Sequence, residues 1–256
     1  MSWLTDSVND KAEDNEEVWD KYLTSTSYYK AAHTAISKCI SIVKPKHVLD
    51  CGCSIGVSLM MLAEEYPNIE FSGLEESNDL AFIASNVAAN YRNIDRIYVD
   101  RYIVDFTMDY SELFDFTYML YQFRHIGETT EDKFKFLEGF YEAMKLTSYL
   151  CIADTLLDDL DYDNIDSLYK HRADEVYASV LLSGISSFDK EKVEEHKIFA
   201  ANASYKELAV GKIIKEQHDT LISKFLLTTE AKRLGYNVLF AEQVNGIGDY
   251  VILLQK

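Results

Sequence analysis

The chain has little proline or glycine, and no stretch in which either is concentrated. Its 256 residues include 2 prolines and 10 glycines, so the composition predicts neither a flexible linker nor a low-complexity region. No internal repeat of fixed period occurs, which excludes a repeat architecture. Hydrophobic residues make up 48% of the chain, enough for the core of one large domain. Only the acidic start, roughly Thr5 to Glu17, is too polar to predict ordered structure.

Basic residues are scarce relative to acidic ones, and this imbalance bears on the partners of the protein. Lys and Arg number 25 against 43 Asp and Glu, a formal net charge of −18. Because a nucleic-acid backbone is bound by basic side chains that displace its counterions, no nucleic acid is expected as a partner. A small molecule or a peptide is expected instead. No apolar run approaches the length of a membrane span, so no membrane partner is expected and a cytoplasmic location is predicted.

Cysteines are few, and their spacing indicates neither a disulfide framework nor a metal site. The four, Cys39, Cys51, Cys53 and Cys151, lie in or beside apolar runs. Cys51 and Cys53 are too close in sequence for a disulfide, and no second Cys or His pair completes a zinc site. We therefore expect four buried, reduced thiols and no metal.

Apolar residues alternate along the chain between the runs typical of strands and the 3.6-residue spacing of helices. Such alternation predicts an α/β fold with a parallel sheet and helices on both faces. Strands are predicted at His47–Cys51, Ile69–Leu74, Arg96–Val104, Phe116–Tyr121 and Tyr149–Ala153. Helices are predicted at Ser25–Val43, Val57–Glu65, Asp79–Tyr91 and Asp132–Lys145, with Ser77 and either Thr129 or Thr130 as N-caps.

The C-terminal part of the chain departs from this alternation. A long helical segment, roughly Asn164 to Leu234, follows the fifth strand, and Gly235 is placed to end its last helix. Two more strands are predicted at Asn237–Val244 and Tyr250–Leu254, and the short glycine-containing turn between them favours an antiparallel pair. The sheet is therefore expected to have seven strands and to be mainly parallel, with one reversed strand at its end.

The densest pattern is a glycine-containing turn, Val48–Gly56 (VLDCGCSIG), between the first strand and the following helix. Glycines there let the backbone approach a ligand closely, and the helix N-terminus offers free N–H groups. An acid, Glu75, ends the next strand about 20 residues after Gly56, the spacing expected of an acid that binds a ribose. The turn and the acid together predict a nucleotide-like ligand.

This turn resembles the first motif of the class I S-adenosylmethionine-dependent methyltransferases, in which two apolar residues, an acid and any residue precede Gly-Cys-Gly-x-Gly. The match is complete except that Ser54 replaces the middle glycine. Two later segments are also similar to that family: Phe114-Asp115 through His125-Ile126, and Ala231–Tyr236. The resemblance implies a Rossmann-like methyltransferase fold and S-adenosyl-L-methionine as the cofactor.

The resemblance also implies roles for particular residues. The glycine turn would back the methionine part of the cofactor, an acid at the second strand end would bind the ribose hydroxyls, and an acid after the third strand would meet the adenine amine. His125, at the end of the fourth strand, is the catalytic candidate, as a base for the acceptor or else as a structural cap; Asp154, after the fifth strand, is placed similarly. The cofactor-binding residues expected are Asp50, Gly52, Ser54, Gly56, Glu75, Asp105 and Phe106. Independently of the resemblance, Tyr29 beside Tyr28 in the N-terminal helix is expected either to close over the cofactor or to form a core-facing aromatic pair.

A single methyltransferase domain over residues 1–256 is predicted to have four parts. They are an N-terminal helical cap at 1–44, a cofactor-binding core at 45–158, a helical insertion at 159–234 and a final strand pair at 235–256. An insertion at this place would lie over the cofactor crevice as a lid, form a homodimer interface, or do both. The activity expected is methyl transfer to N or O of a small molecule or short peptide.

Two alternative functions remain open from the sequence. Gly52–Gly56 also has the G-x-S-x-G form of a hydrolase nucleophile elbow, which would make Ser54 the nucleophile of a serine hydrolase. Its place after the first strand, without an HGGG-type loop before it, disfavours that interpretation. A protein of the methyltransferase fold can also perform other chemistry, such as carboxy-S-adenosylmethionine synthesis, or bind the cofactor without transferring a methyl group.

Overall fold

A computed structural model describes residues 27–99, 113–127, 129–156, 222–244 and 248–256. The chain divides into two compact units, residues 31–160 with 220–256, and residues 1–30 with 161–219. Apart from residues 27–30, the second unit lies outside the described residues. The single domain and the lid at 159–234 therefore stay predictions.

The described residues form alternating strands and helices, as the apolar spacing predicts. β1 and α2 have the predicted bounds, and the other elements differ by at most three residues wherever both ends are described. None of the described helices is long and apolar enough for a membrane span. The strands are β1 His47–Cys51, β2 Glu70–Glu75, β3 Ile94–Val99, β4 Phe116–Leu120, β5 Tyr149–Thr155, β6 Asn237–Gln243 and β7 Asp249–Gln255. The helices are α1 Ser27–Val43, α2 Val57–Glu65, α3 Asn78–Ala88, α4 Thr130–Ala143 and α5 Lys224–Leu234, with a 3₁₀ turn at Phe123–His125.

The strands form one seven-stranded sheet in the order β3-β2-β1-β4-β5-β7-β6. The five strands from β3 to β5 are parallel to their neighbours, whereas β7 is antiparallel to both β5 and β6. The single reversed strand is therefore the last in the chain, and it lies second from the edge because β6 pairs outside it. From β1, the chain first adds strands on one side of the sheet (β2, β3) and then on the other (β4, β5), so the topological switch point lies between β1 and β4. Ligands of open α/β sheets bind at this position.

Helix ends follow the predicted capping residues. Ser77 caps α3 by accepting a hydrogen bond from the Leu80 amide. Thr129 and Asp132 form a reciprocal capping box at the start of α4. Gly235 ends α5 at a φ of 106°, a conformation that glycine adopts without steric cost. These contacts confirm the predicted ends of three helices.

Apolar residues on both faces of the sheet pack under helices and form two core clusters. Because side chains alternate along a strand, Val48 of β1 packs on the side of α1 and α2, while Leu49 packs on the side of α4 and α5. Strands covered on both faces are expected to be mostly apolar, and β1 and β5 follow this except for one buried acid in each, Asp50 and Asp154. All four cysteines are free and buried, as predicted.

Asp115, in the Phe-Asp segment that resembles the family, joins the N-terminal ends of β1 and β4, at the end of these strands opposite the glycine turn. Its carboxylate accepts hydrogen bonds from the Lys46 and His47 amides at 2.8 and 3.1 Å and pairs with the Lys145 ammonium. Burial acts to raise the pKa of Asp115, but the Lys145 hydrogen bond and the two amides outweigh it and hold the pKa below its usual value. This acid therefore has a structural role.

Candidate functional site

The glycine turn after β1 forms a tight loop with three residues in the left-handed region. Gly52 and Gly56 have φ angles of 87°, and Ser54 has a φ of 53°. Glycine occupies this region freely, whereas a residue with a Cβ is strained there. Ser54 keeps this conformation because its backbone is held by neighbouring elements.

The amides of this loop donate inward, to the end of β2. The Gly52 and Cys53 amides both donate to the Leu74 carbonyl at 2.9 Å, and the Ser54 amide donates to the Glu75 carboxylate at 2.8 Å. Gly56 in turn donates to the Cys53 carbonyl at 2.8 Å. A ligand would therefore meet the backbone surface of this loop and not a row of free N–H groups. The sequence did not indicate this difference.

Glu75 joins the loop to the start of α3. One carboxylate oxygen accepts from the Ser54 amide, and the other accepts from the Ser77 amide at 2.9 Å. Burial raises the pKa of Glu75, and the two amide hydrogen bonds oppose this rise. Since a carboxylate has about four acceptor positions, each oxygen can still accept a hydroxyl. The side chain is half-buried, and it fits the predicted binding of ribose hydroxyls.

Asp50, two residues before Gly52, is a buried carboxyl, and its cofactor-binding role stays a prediction. Only 2% of the surface of Asp50 is exposed to solvent. Burial raises its pKa to about 7, with a hydrogen bond from Tyr118 opposing the rise and the charge of Glu75 adding to it. Asp50 therefore stands behind the loop, among core residues.

Gln122, just beyond β4, is a site residue that the sequence analysis missed. A Cβ added to Gly52 would lie 2.5 Å from Cγ and 2.7 Å from Oε1 of Gln122, so the glutamine side chain rests directly on the glycine. The available signal was the sheet order, since β4 pairs with β1 and their C-terminal ends are adjacent. A glutamine carries no motif that would single it out within the sequence.

A buried polar cluster ties the ends of β4, β5 and β7 together next to this loop. Tyr121, at a φ of 57°, donates to Asp249 at 2.9 Å, and the second oxygen of Asp249 accepts from Thr155 at 2.7 Å. Asp154 accepts from the Arg124 amide at 2.9 Å and lies 3.0 Å from its guanidinium Nε. Asp154 thus holds the turn after β4 in place, which is the capping role among its two predicted roles.

The remaining predicted residues are placed as follows. His125 ends the 3₁₀ turn after β4, and its side chain is exposed. Tyr29 is buried in the first turn of α1. Asp105 and Phe106 lie outside the described residues, as does most of the predicted insertion. The cofactor and catalytic roles of all these residues stay predictions.

Ser54 has few features of a hydrolytic nucleophile. Its positive φ is also found in nucleophile elbows, but the loop follows the first strand and its amide is bound to Glu75. Within the described ranges, no histidine hydrogen-bonds the Ser54 hydroxyl. Within those same ranges, no group of three or more His, Cys, Asp or Glu residues is arranged to bind a metal.

Comparisons with known proteins bear on the fold. No protein-family model matches the sequence, and no curated protein matches it. Among solved structures, the mitomycin 7-O-methyltransferase MmcR aligns with a TM-score of 0.57 and 14% identity, over 98% of this chain and 60% of that one. The human N-acetylserotonin methyltransferase in complex with SAM aligns with a TM-score of 0.56 and 12% identity, over 88% of this chain and 51% of that one. PigF with SAH aligns with a TM-score of 0.54 and 14% identity, over 99% and 69%.

The fold is that of the class I S-adenosylmethionine-dependent methyltransferases. Identities of 12–14% establish the fold alone. The chain spans about half to three fifths of the length of the first two of these structures. Within this fold, the Gly52 loop and Glu75 lie at the C-terminal ends of two adjacent parallel strands, where the ligand crevice is expected.

Proposed function

We propose that this protein binds S-adenosylmethionine at the C-terminal ends of β1 and β2 and transfers a methyl group to N or O of a small molecule or short peptide. The observation that carries the proposal is the hydrogen bond between the Gly52 loop and Glu75, in which the Ser54 amide donates to the carboxylate. Neighbouring proteins of the same fold include structures in complex with SAM and with SAH. The loop and its acid have the chemistry to hold such a nucleoside.

The direction of the loop amides favours a cofactor without a pyrophosphate. A dinucleotide-binding turn presents its N–H groups to phosphate oxygens. Here the Gly52, Cys53 and Ser54 amides all donate to the end of β2. Polar recognition of a ligand at this loop therefore falls to side chains such as Glu75.

The main requirement of methyl transfer is that the protein aligns the acceptor atom with the methyl group. S-adenosylmethionine, when bound, supplies a methyl group already activated on a sulfonium. This chain's own residues would orient the acceptor in line with that group and exclude water from it. His125, exposed on the turn after β4, is proposed to accept a proton from an acceptor hydroxyl or amine at one of its ring nitrogens.

The first test is calorimetric titration of the full chain with S-adenosylmethionine and with S-adenosylhomocysteine. We expect saturable binding of both in the micromolar range, lost in Glu75→Ala because the ribose acceptors are gone. Glu76→Ala is the matched control, since it removes the same charge from the adjacent exposed residue and should bind as the wild type does. Thermal melts of both variants distinguish loss of binding from loss of the fold.

Ser54→Ala separates the proposed function from hydrolysis. Because Ser54 takes part through its backbone amide, the variant should keep most of its cofactor affinity. A serine hydrolase would instead lose all esterase activity with this change. Absence of binding by folded wild-type protein would contradict the proposed function and leave only the fold.

A further inference from the structure

The side chain of Gln122 fills the space that a side chain at position 52 would take. A Cβ at Gly52 would lie 2.5, 2.6 and 2.7 Å from Cγ, Cδ and Oε1 of Gln122. These are the three nearest heavy atoms, so the amide nitrogen Nε2 lies farther from the glycine than Oε1 does. The missing side chain of Gly52 makes room for the glutamine. On this side of the loop, the surface that a ligand meets is therefore the Gln122 amide.

The turn that carries Gln122 is held by two neighbouring strands. Before Gln122, the Tyr121 hydroxyl donates to Asp249 of β7 at 2.9 Å. After it, the Arg124 amide donates to Asp154 of β5 at 2.9 Å. Both carboxylates are buried, so these contacts fix the backbone on either side of the glutamine. Its side chain is therefore presented from a fixed position, which is what a binding residue requires.

The side-chain amide of Gln122 has hydrogen-bonding capacity that the described part of the protein does not use. None of the described residues hydrogen-bonds its Oε1 or Nε2, whereas its backbone carbonyl accepts from the His125 amide at 3.0 Å. The residue is partly exposed rather than enclosed in the core. Because a side-chain amide has two N–H donors and an oxygen acceptor, these groups are available to water or to a ligand.

Glu75 and Gln122 lie on opposite sides of the loop. β2, which ends at Glu75, pairs with β1 on one side, and β4, which precedes Gln122, pairs with β1 on the other. A nucleoside whose ribose hydroxyls bond Glu75 has two further ends, the base and the 5′ substituent. In S-adenosylmethionine the base is a flat, largely apolar ring, whereas the 5′ substituent ends in an ammonium and a carboxylate. An unpartnered N–H donor matches the second end, because N–H donors form stronger hydrogen bonds with a carboxylate than with a neutral acceptor.

We propose that Gln122 recognises the amino-acid end of S-adenosylmethionine, with Nε2 donating a hydrogen bond to its carboxylate. This inference rests on the proposed function, because it names a further contact of the same cofactor. Gln122 is thus a binding residue that selects a ligand with an amino-acid end over the nucleoside alone. Gly52 contributes indirectly, by giving the glutamine its place on the loop.

The experiment is calorimetric titration of the full chain with S-adenosylhomocysteine and with 5′-methylthioadenosine, which has the same nucleoside and a sulfur but no amino-acid end. Gln122→Met keeps an unbranched side chain on Gly52 and removes the amide. We expect it to lower the affinity for S-adenosylhomocysteine by about tenfold, the effect of losing a hydrogen bond to a charged group. Its affinity for 5′-methylthioadenosine should stay within about twofold of wild type. Gln122→Glu places a negative charge opposite the carboxylate and should weaken S-adenosylhomocysteine binding at least as much.

Glu75→Ala is the reference variant, since both probes contain the ribose and should lose affinity together. Equal losses for the two probes in Gln122→Met would overturn the inference, because the glutamine would then act on the nucleoside or on the fold. Unchanged affinity for both probes in Gln122→Met would also overturn it, while the proposed function would stand. Absence of S-adenosylhomocysteine binding by folded wild-type protein would overturn the proposed function together with this inference. Thermal melts show which variants are folded.

Discussion

Gly52 has no room for a side chain in its present conformation. A Cβ would lie 2.5 Å from the Gln122 side chain, and its φ of 87° disfavours any residue with a Cβ. We expect Gly52→Ala to lower cofactor affinity by tenfold or more and to destabilise the fold by about 1–3 kcal/mol. Calorimetry and urea unfolding measure the two effects.

A second substitution separates the two causes at this position. Gln122→Ala in the Gly52→Ala background removes the steric clash and leaves the backbone strain. Affinity for 5′-methylthioadenosine that recovers in the double variant would assign the loss to Gln122. Affinity that stays low would assign it to the backbone or to direct contact between the new methyl group and the ligand.

Asp154 shows at the residue scale how a buried acid serves structure. It is fully buried and accepts the Arg124 and Thr155 amides as well as pairing with the Arg124 side chain. We expect Asp154→Ala to destabilise the protein by about 3–5 kcal/mol, because the largely buried Arg124 guanidinium loses this ion pair and two backbone amides lose their acceptor. Urea unfolding checks this, and a loss below about 1 kcal/mol would contradict the role.

At the scale of elements, Lys133 of α4 fixes the turn that carries His125. Its side chain is buried, and its ammonium donates to the Arg124 and Ile126 carbonyls at 2.9 and 2.8 Å. Lys133→Met would leave these two carbonyls without this donor. We expect a destabilisation of about 2–4 kcal/mol in thermal or urea unfolding.

Lys135→Met is the matched control for that variant. Lys135 lies on the same helix, and its side chain is 65% exposed in a surface ion pair with Asp132. Such pairs contribute little, so the change should fall within about 0.5 kcal/mol of wild type. Equal effects of the two substitutions would refute the anchoring of the turn by Lys133.

At the scale of the whole molecule, buried carboxyls make stability depend on pH. The pKa of Asp50 is raised from an ordinary value of 3.8 to about 7, and that of Glu75 is also raised. A carboxyl with a raised pKa binds its proton more tightly in the folded protein, so its contribution to stability is complete below about pH 4 and is lost as pH rises through about 7. The lowered pKa of Asp115 has the opposite sign, and its contribution is lost only at lower pH.

Asp50→Asn should therefore flatten the fall in stability between about pH 5 and about pH 8. Asparagine stays neutral and can still accept from Tyr118, so the variant should gain about 2–4 kcal/mol over wild type at the higher pH. Urea unfolding at the two pH values measures the change. An identical pH dependence in both proteins would show that Asp50 is not the buried titrating group.

Local patterns in the sequence determined the strands, the helix caps and the glycine loop. Apolar spacing predicted β1 and α2 to the residue, because side-chain periodicity follows directly from strand and helix geometry. Ser77, Thr129 and Gly235 act through bonds within three or four residues, so their roles were also readable. The spacing of Glu75 from the loop identified the acid that the structure brings to Ser54.

Only the tertiary structure decided what the site residues touch. Gln122 reaches Gly52 because β4 pairs with β1, a contact between residues 70 apart in sequence that no local spacing predicts. The burial of Asp50, and hence its raised pKa, exists only in the folded chain. The loop amides point toward β2 rather than outward for the same reason: their acceptors belong to another strand. Helix caps and strand patterns depend on residues close together in the sequence and can be predicted from it. Burial and hydrogen bonds between distant residues exist only once the sheet has formed.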